Sequence, residues 1–140
     1  MRALLTDYES SLAEIQAVQI AVFVEEQQLT RETEFDDRDP VATHVVVFNE
    51  KSPVGTGRID VEQDGRIGRV SVLRQHRRRG VGALVMKTLE GFAKGEGLSR
   101  LWFHAQVEAV LFYRQLGYEV SGSEFVEEGI PHVVMQKALR

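Results

Sequence analysis

One mid-chain segment constrains this sequence more than any other. Val70-Ser71-Val72-Leu73 is followed by Gln75-His76-Arg77-Arg78-Arg79-Gly80-Val81-Gly82. The first run is apolar and β-branched and reads as a strand. Apolar residues then recur at Val81, Leu84, Val85, Leu89 and Phe92, the spacing of one helix face. A chain that enters a helix through a glycine-bearing turn exposes the unpaired N–H groups of the first helical turn. The helix dipole adds partial positive charge there, glycine lets a ligand approach the backbone, and arginine supplies charged donors. These features predict a phosphate-bearing small ligand at residues 77–82. No Gly-Lys-Ser follows, so this is not a Walker loop, and G-x-G-x-x-G is absent, so it is not a dinucleotide fingerprint. The competing reading is a plain turn with solvated arginines.

The rest of the chain supplies the frame for that turn. Its 140 residues suit a single domain, 1–140, with one core. Residues 2–5 read as a short strand. Ser11 and Glu14 fit a capping box ahead of a helix carrying Leu12, Ile15, Val18 and Val22, which extends to about Glu26. Residues 27–43 are polar and acidic and read as a long loop. Strands follow at 44–48 and 54–61, and Asp64-Gly65 turns the chain into the strand that ends at Leu73. After the helix at 80–95 come a strand at 101–106, a short helix from Ala109 to Gly117, and two last strands at 118–125 and 132–139. The order predicts an α/β (α+β) domain with a mixed sheet, mostly antiparallel, around one β-α-β crossover.

Composition excludes several classes. The chain has no cysteine, so there is no disulfide framework, thiolate metal site or cysteine nucleophile. The histidines lack carboxylates at ligand spacing, so no metal is expected. A net charge of -4, and no aromatics interleaved with the arginine run, argue against a nucleic-acid surface. No apolar run is long enough to span a membrane and no signal-peptide core is evident, so the expected location is the cytoplasm.

A second constellation lies at residues 106–118. Gln106 ends a strand, Ala109 and Tyr113 lie on the next helix, and Gly117-Tyr118 ends it. With Arg77-Arg78-Arg79-Gly80-Val81-Gly82, which satisfies R/Q-x-x-G-x-G/A, the chain resembles the GNAT superfamily of acetyl-CoA-dependent N-acetyltransferases from end to end. Gln106 stands where that family usually has asparagine. Val22-Phe23-Val24-Glu25-Glu26-Gln27, His44 and Gly129-Ile130-Pro131-His132 are similar to a small uncharacterised bacterial subgroup.

The resemblance implies a GNAT acyl-CoA N-acyltransferase fold with a splayed parallel strand pair. It implies acetyl-CoA as co-substrate. The diphosphate would lie on the backbone of Arg78, Arg79, Gly80, Val81, Gly82 and Ala83, with Arg77 or Arg79 reaching the ribose phosphate. The pantetheine arm would pair with Val70, Ser71 and Val72 and meet Gln106. The reaction would be direct attack of a primary amine, of a small molecule or peptide, within a ternary complex. An oxyanion would be met by a backbone N–H near Val72. Tyr113 is the implied proton donor to the leaving thiolate; read alone, it also suits a core position on its helix. Glu25, Glu26 and His104 are the candidate bases, and His104 shares strand parity with Gln106. His44 and His132 read as packed strand-end residues, and His76 as a neighbour of the arginines. Residues 25–39 concentrate acidic groups, which would favour a cationic amine if they border the cleft and would otherwise form a solvated loop. A homodimer is compatible with the resemblance. The alternative function is a non-catalytic acyl-CoA sensor of the same fold.

Overall fold

The computed structural model describes residues 1–26 and 38–139, with the side chains of residues 24–26 left aside. Among the described residues seven strands form one sheet in the order β1-β2-β3-β4-β5-β7-β6. The strands are β1 (Arg2–Asp7), β2 (Thr43–Asn49), β3 (Ser52–Asp60), β4 (Arg66–Val72), β5 (Arg100–Gln106), β6 (Glu119–Glu127) and β7 (Ile130–Ala138). The helices are α1 (Leu12–Gln19), α2 (Val81–Gly95) and α3 (Val110–Gln115). All neighbouring strands are antiparallel except β4 and β5, which α2 connects as a parallel pair.

Strand periodicity sorts the side chains onto two faces. Val45 and Val47 of β2, and Leu101, Phe103 and Ala105 of β5, pack with Val81, Val85, Met86 and Leu89 of α2 in the main core. On the opposite face Val46 and Phe48 pack with Ile15 of α1. Gly55 and Gly57 of β3 lie directly under α2, where an added Cβ would collide with Val81 and Val85. Small residues here let the helix sit close to the sheet, and this fixes the height of its first turn.

Two local expectations change. Ser11 makes no capping bond. Its Oγ lies 2.9 Å from Thr6 Oγ1, while the Asp7 carboxylate accepts from the Ser10 N–H at 2.7 Å. The Asp side chain therefore organises the turn ahead of the helix. The first helix does reach Glu26, but Ile20–Glu26 is wound as a π-helix.

Candidate active site

The turn between β4 and α2 is built from backbone geometry. Arg74–His76 form one 3₁₀ turn, Arg78 and Gly80 take positive φ of 62° and 84°, and α2 starts at Val81. The first helical bond runs from the Leu84 N–H to the Gly80 carbonyl at 3.0 Å. Among the described residues the N–H groups of residues 78–83 meet no protein acceptor. Alternating left-handed and right-handed backbone gathers such groups into an anion-binding concavity. Arg78, Arg79 and Gly80 are exposed, and Arg77 Nε donates to the Val72 carbonyl at 3.0 Å, tying the turn to the end of β4. Gly82 packs closely on α3: a Cβ there would lie 3.0 Å from Phe112 Cζ.

Beside this turn the sheet opens. The parallel pair β4–β5 is joined only at Arg66 and Trp102. Beyond it β4 stays with β3, up to Gly55 opposite Val72, and β5 stays with β7, up to Gln106 opposite His132. Residues 69 and 70 of β4 oppose the single residue Gly57, and Arg69 has a φ of 57°. That bulge bends β4 away from its neighbour. The result is a wedge whose apex is the Arg66–Trp102 pair, with the edge of Val70, Ser71 and Val72 along one side. Gln106 ends the other side, where it lines a depression with Val107, Glu108, Glu124, Ile130 and Pro131.

The two faces of β5 carry different chemistry. On the α2 face, the Tyr113 ring lies 4.5 Å from Phe103 and 4.9 Å from Phe112, measured between centroids. Burial pushes its phenol up to about 12, so it stays protonated at physiological pH. Among the described residues its hydroxyl has no hydrogen-bond partner. On the α1 face, His104 Nδ1 lies 3.1 Å from Glu127 Oε2 and 3.4 Å from Arg66 Nη2. His132 Nε2 lies 3.8 Å from the same Glu127 oxygen, and its Nδ1 donates to the Ile130 carbonyl at 2.7 Å. Among the described residues no His, Asp and Glu are grouped so as to hold a metal ion.

Sequence reasoning passed over Glu127 and Arg66. Strand parity held the signal: pairing β6 with β7 across the Gly129 turn puts Phe125, Glu127 and His132 on the face of His104. Glu25, named as a candidate base, and Glu26 have side chains outside the described residues, and so do the acidic residues at 27–37. The segment that follows is tethered to β3 by two ion pairs. Arg58 Nη1 meets Asp39 Oδ1 at 2.6 Å, and Arg38 Nε meets Asp60 Oδ2 at 2.7 Å. The Arg38 hydrogen bond holds the Asp60 carboxyl below its usual range. His44 is fully buried, its Nε2 lies 2.8 Å from the Asp39 carbonyl, and desolvation lowers its pKa. That is the packed strand-end role expected of it.

A splayed parallel pair beside an unengaged amide nest is one architecture, and it has known relatives. The Acetyltransferase (GNAT) domain family matches residues 5–139. The chain belongs to the GNAT acetyltransferase family. It is 40% identical over 139 residues to YjcF of Bacillus subtilis (strain 168), an uncharacterized N-acetyltransferase, covering 98% of this chain and 99% of that one. A solved Lactobacillus plantarum structure superposes with a TM-score of 0.91 at 29% identity, covering 99% and 98% of the two chains. An acyl-CoA N-acyltransferase from Pseudomonas aeruginosa shares the fold, with a TM-score of 0.86 at 23% identity over 98% and 99%. GNAT membership supports acyl-CoA-dependent N-acyltransfer, and the mixed sheet, with one parallel pair among the described residues, is the GNAT fold.

Proposed function

We propose that the protein transfers an acetyl group from acetyl-CoA to a primary amine by direct attack within a ternary complex. The observation that carries this reading is the wedge between β4 and β5, opening beside the unengaged N–H groups of residues 78–83. A diphosphate fits converging amides at a helix start. An amide-bearing arm fits a strand edge that has no partner strand, here Val70, Ser71 and Val72, and the Gln106 amide stands across the gap. Arg79 is exposed for a further phosphate, whereas Arg77 is turned back onto Val72.

In the chemical step the amine nitrogen attacks the thioester carbonyl carbon. The oxyanion takes a backbone N–H near Val72, the nitrogen gives up a proton, and the C–S bond breaks. His104 and Glu25 are the candidate proton acceptors. Tyr113 serves the departing sulfur from the opposite face of β5. A free thiol titrates near ~8.5, so full proton transfer from a phenol at about 12 would be uphill by roughly 5 kcal/mol. Tyr113 therefore acts by donating a hydrogen bond to the thiolate, which takes its final proton from solvent.

The test is thiol release from acetyl-CoA against a panel of polyamines, aminoglycosides and lysine peptides, with coenzyme binding followed by calorimetry. Arg78→Ala is expected to weaken coenzyme binding. Tyr113→Phe is expected to keep binding and slow turnover roughly 10–100-fold, the worth of one hydrogen bond to a charged group. Binding without thiol release from any amine would make the protein an acyl-CoA sensor. No binding would end the proposal.

A further inference from the structure

We infer that Glu127 is a positioning residue for the acetyl transfer proposed above: it fixes the tautomer of His104 so that Nε2 takes the proton of the acceptor amine. The inference rests on that reading for the reaction it serves; its geometry stands apart from it. His104 is the first residue on the α1 face of β5 beyond the Arg66–Trp102 pair, so it borders the wedge where the strands part. Its side chain is 26% exposed, and among the described residues its Nε2 has no partner. Nδ1, in contrast, has two charged neighbours of opposite demand. The Glu127 carboxylate can only accept, and it lies 3.1 Å away. The Arg66 guanidinium can only donate, and it lies 3.4 Å away. The shorter, charge-assisted contact favours a proton on Nδ1 directed to Glu127. That leaves the Nε2 lone pair as the base.

The carboxylate is held in turn. Phe125 stands edge-on to His104 with centroids 5.0 Å apart and stacks on His132 at an interplanar angle of 24°. The His132 ring is fixed by its own bond to the Ile130 carbonyl, and its Nε2 stands 3.8 Å from the carboxylate. Among the described residues the charged and titratable groups around His104 are thus Arg66 from β4 and Glu127 from β6, with His132 from β7 on the far side of the carboxylate.

The step balances. The nitrogen–carbon bond forms as one amine proton passes to His104 Nε2, giving an imidazolium whose Nδ1–H remains on Glu127. The C–S bond breaks with its electron pair on sulfur, and the thiolate is protonated by solvent while the imidazolium returns its proton to solvent. Without Glu127, Arg66 is the polar neighbour of Nδ1 that remains among the described residues. Nδ1 must then accept, the proton moves to Nε2, and the base is lost.

The experiment uses the full chain in two measurements. Long-range ¹H–¹⁵N correlation reads the His104 tautomer without any substrate. Thiol release from acetyl-CoA with spermidine, or with n-butylamine if spermidine is not taken, reads turnover. The parent protein should carry its proton on Nδ1. Glu127→Ala should carry it on Nε2 and lose at least roughly 100-fold in kcat, with the KM for acetyl-CoA unchanged. Glu127→Gln, whose amide oxygen still accepts from Nδ1, should keep the native tautomer and most of the rate. Removing Arg66 from the alanine variant should restore part of the activity. An active parent whose tautomer is unchanged in Glu127→Ala would overturn the role of Glu127 alone. A parent that releases no thiol, whatever its tautomer, would overturn the acetyl-transfer reading and this role with it.

Discussion

Gly57→Ala isolates the packing that sets the height of the amide nest. A methyl group at Gly57 would lie 2.7 Å from Val85 Cγ1 and 3.4 Å from both Leu89 Cδ1 and Val70 Cγ2. Optimal carbon–carbon separation is about 3.5–4.0 Å, so the first contact is short by about 1 Å. Val85 is fully buried, and a valine in a helix has one strongly preferred rotamer, so the strain passes to α2 itself. Overpacking of this kind costs about 1–3 kcal/mol, and alanine regains about 0.5–1 kcal/mol in backbone entropy. The net expectation is a loss of about 1–2 kcal/mol, which lowers Tm by roughly 3–8 °C for a chain of this size. Coenzyme binding should weaken in parallel, because the first turn of α2 rises with the helix. Thermal unfolding by circular dichroism reads the first effect and calorimetric titration with acetyl-CoA the second. The double variant Gly57→Ala/Val85→Ala removes the obstructing methyls and should be more stable than the sum of its single changes by about 1 kcal/mol. Gly91→Ala, on the exposed side of the same helix with open space around it, should raise stability by up to about 1 kcal/mol. An unchanged Tm in Gly57→Ala, or purely additive behaviour with Val85→Ala, would refute the claim that these atoms hold the helix in place.

Two further outcomes follow from buried groups. Asp39→Asn removes the charge that Arg58 Nη1 meets at 2.6 Å between two buried side chains, and should lower stability in urea unfolding. Replacing Asp39 and Arg58 together with Leu and Met should cost less, because this charge pair is then removed whole. Tyr113 and Tyr118 both have their pKa raised, chiefly by burial. The unfolded chain loses these protons near pH ~10 while the folded chain keeps them. The stability they contribute is full below that pH and falls above it, by up to about 1.4 kcal/mol per pH unit for each phenol. Tyr113 completes its loss at about pH 12. Urea titrations at rising pH should therefore show a shallower alkaline decline for Tyr113→Phe than for the parent, and equal slopes would contradict the burial account.

Much of this molecule is legible without coordinates where a local rule decides. The β-branched runs, the Asp64-Gly65 turn and the spacing from Val81 to Phe92 each specify one element, and the elements form close to the expected bounds. Rules that depend on neighbours fare differently. Ser11 looks like a cap by its type, yet Asp7 and Thr6 compete for the same turn. The pattern through Val22 is helical, but periodicity over so few residues cannot separate an α-helix from the π-winding of Ile20–Glu26. Glu127 was invisible because it lies far in sequence from His104 and meets it only after β6, β7 and β5 pair in register.

The chain order alone determined that free amides would gather at a helix start, because strand, turn glycine and helix are contiguous and those amides follow from backbone geometry. It also determined an α/β fold with a mixed sheet and a β-α-β crossover, since hydrophobic period and turn residues are local properties. Tertiary structure alone decided that β4 and β5 part beyond one residue pair, that Tyr113 and His104 stand on opposite faces of β5, and that a carboxylate from β6 reaches that histidine. Each of these depends on distances between strands remote in sequence, and such distances are set by bulge, register and helix packing rather than by any residue's own preference.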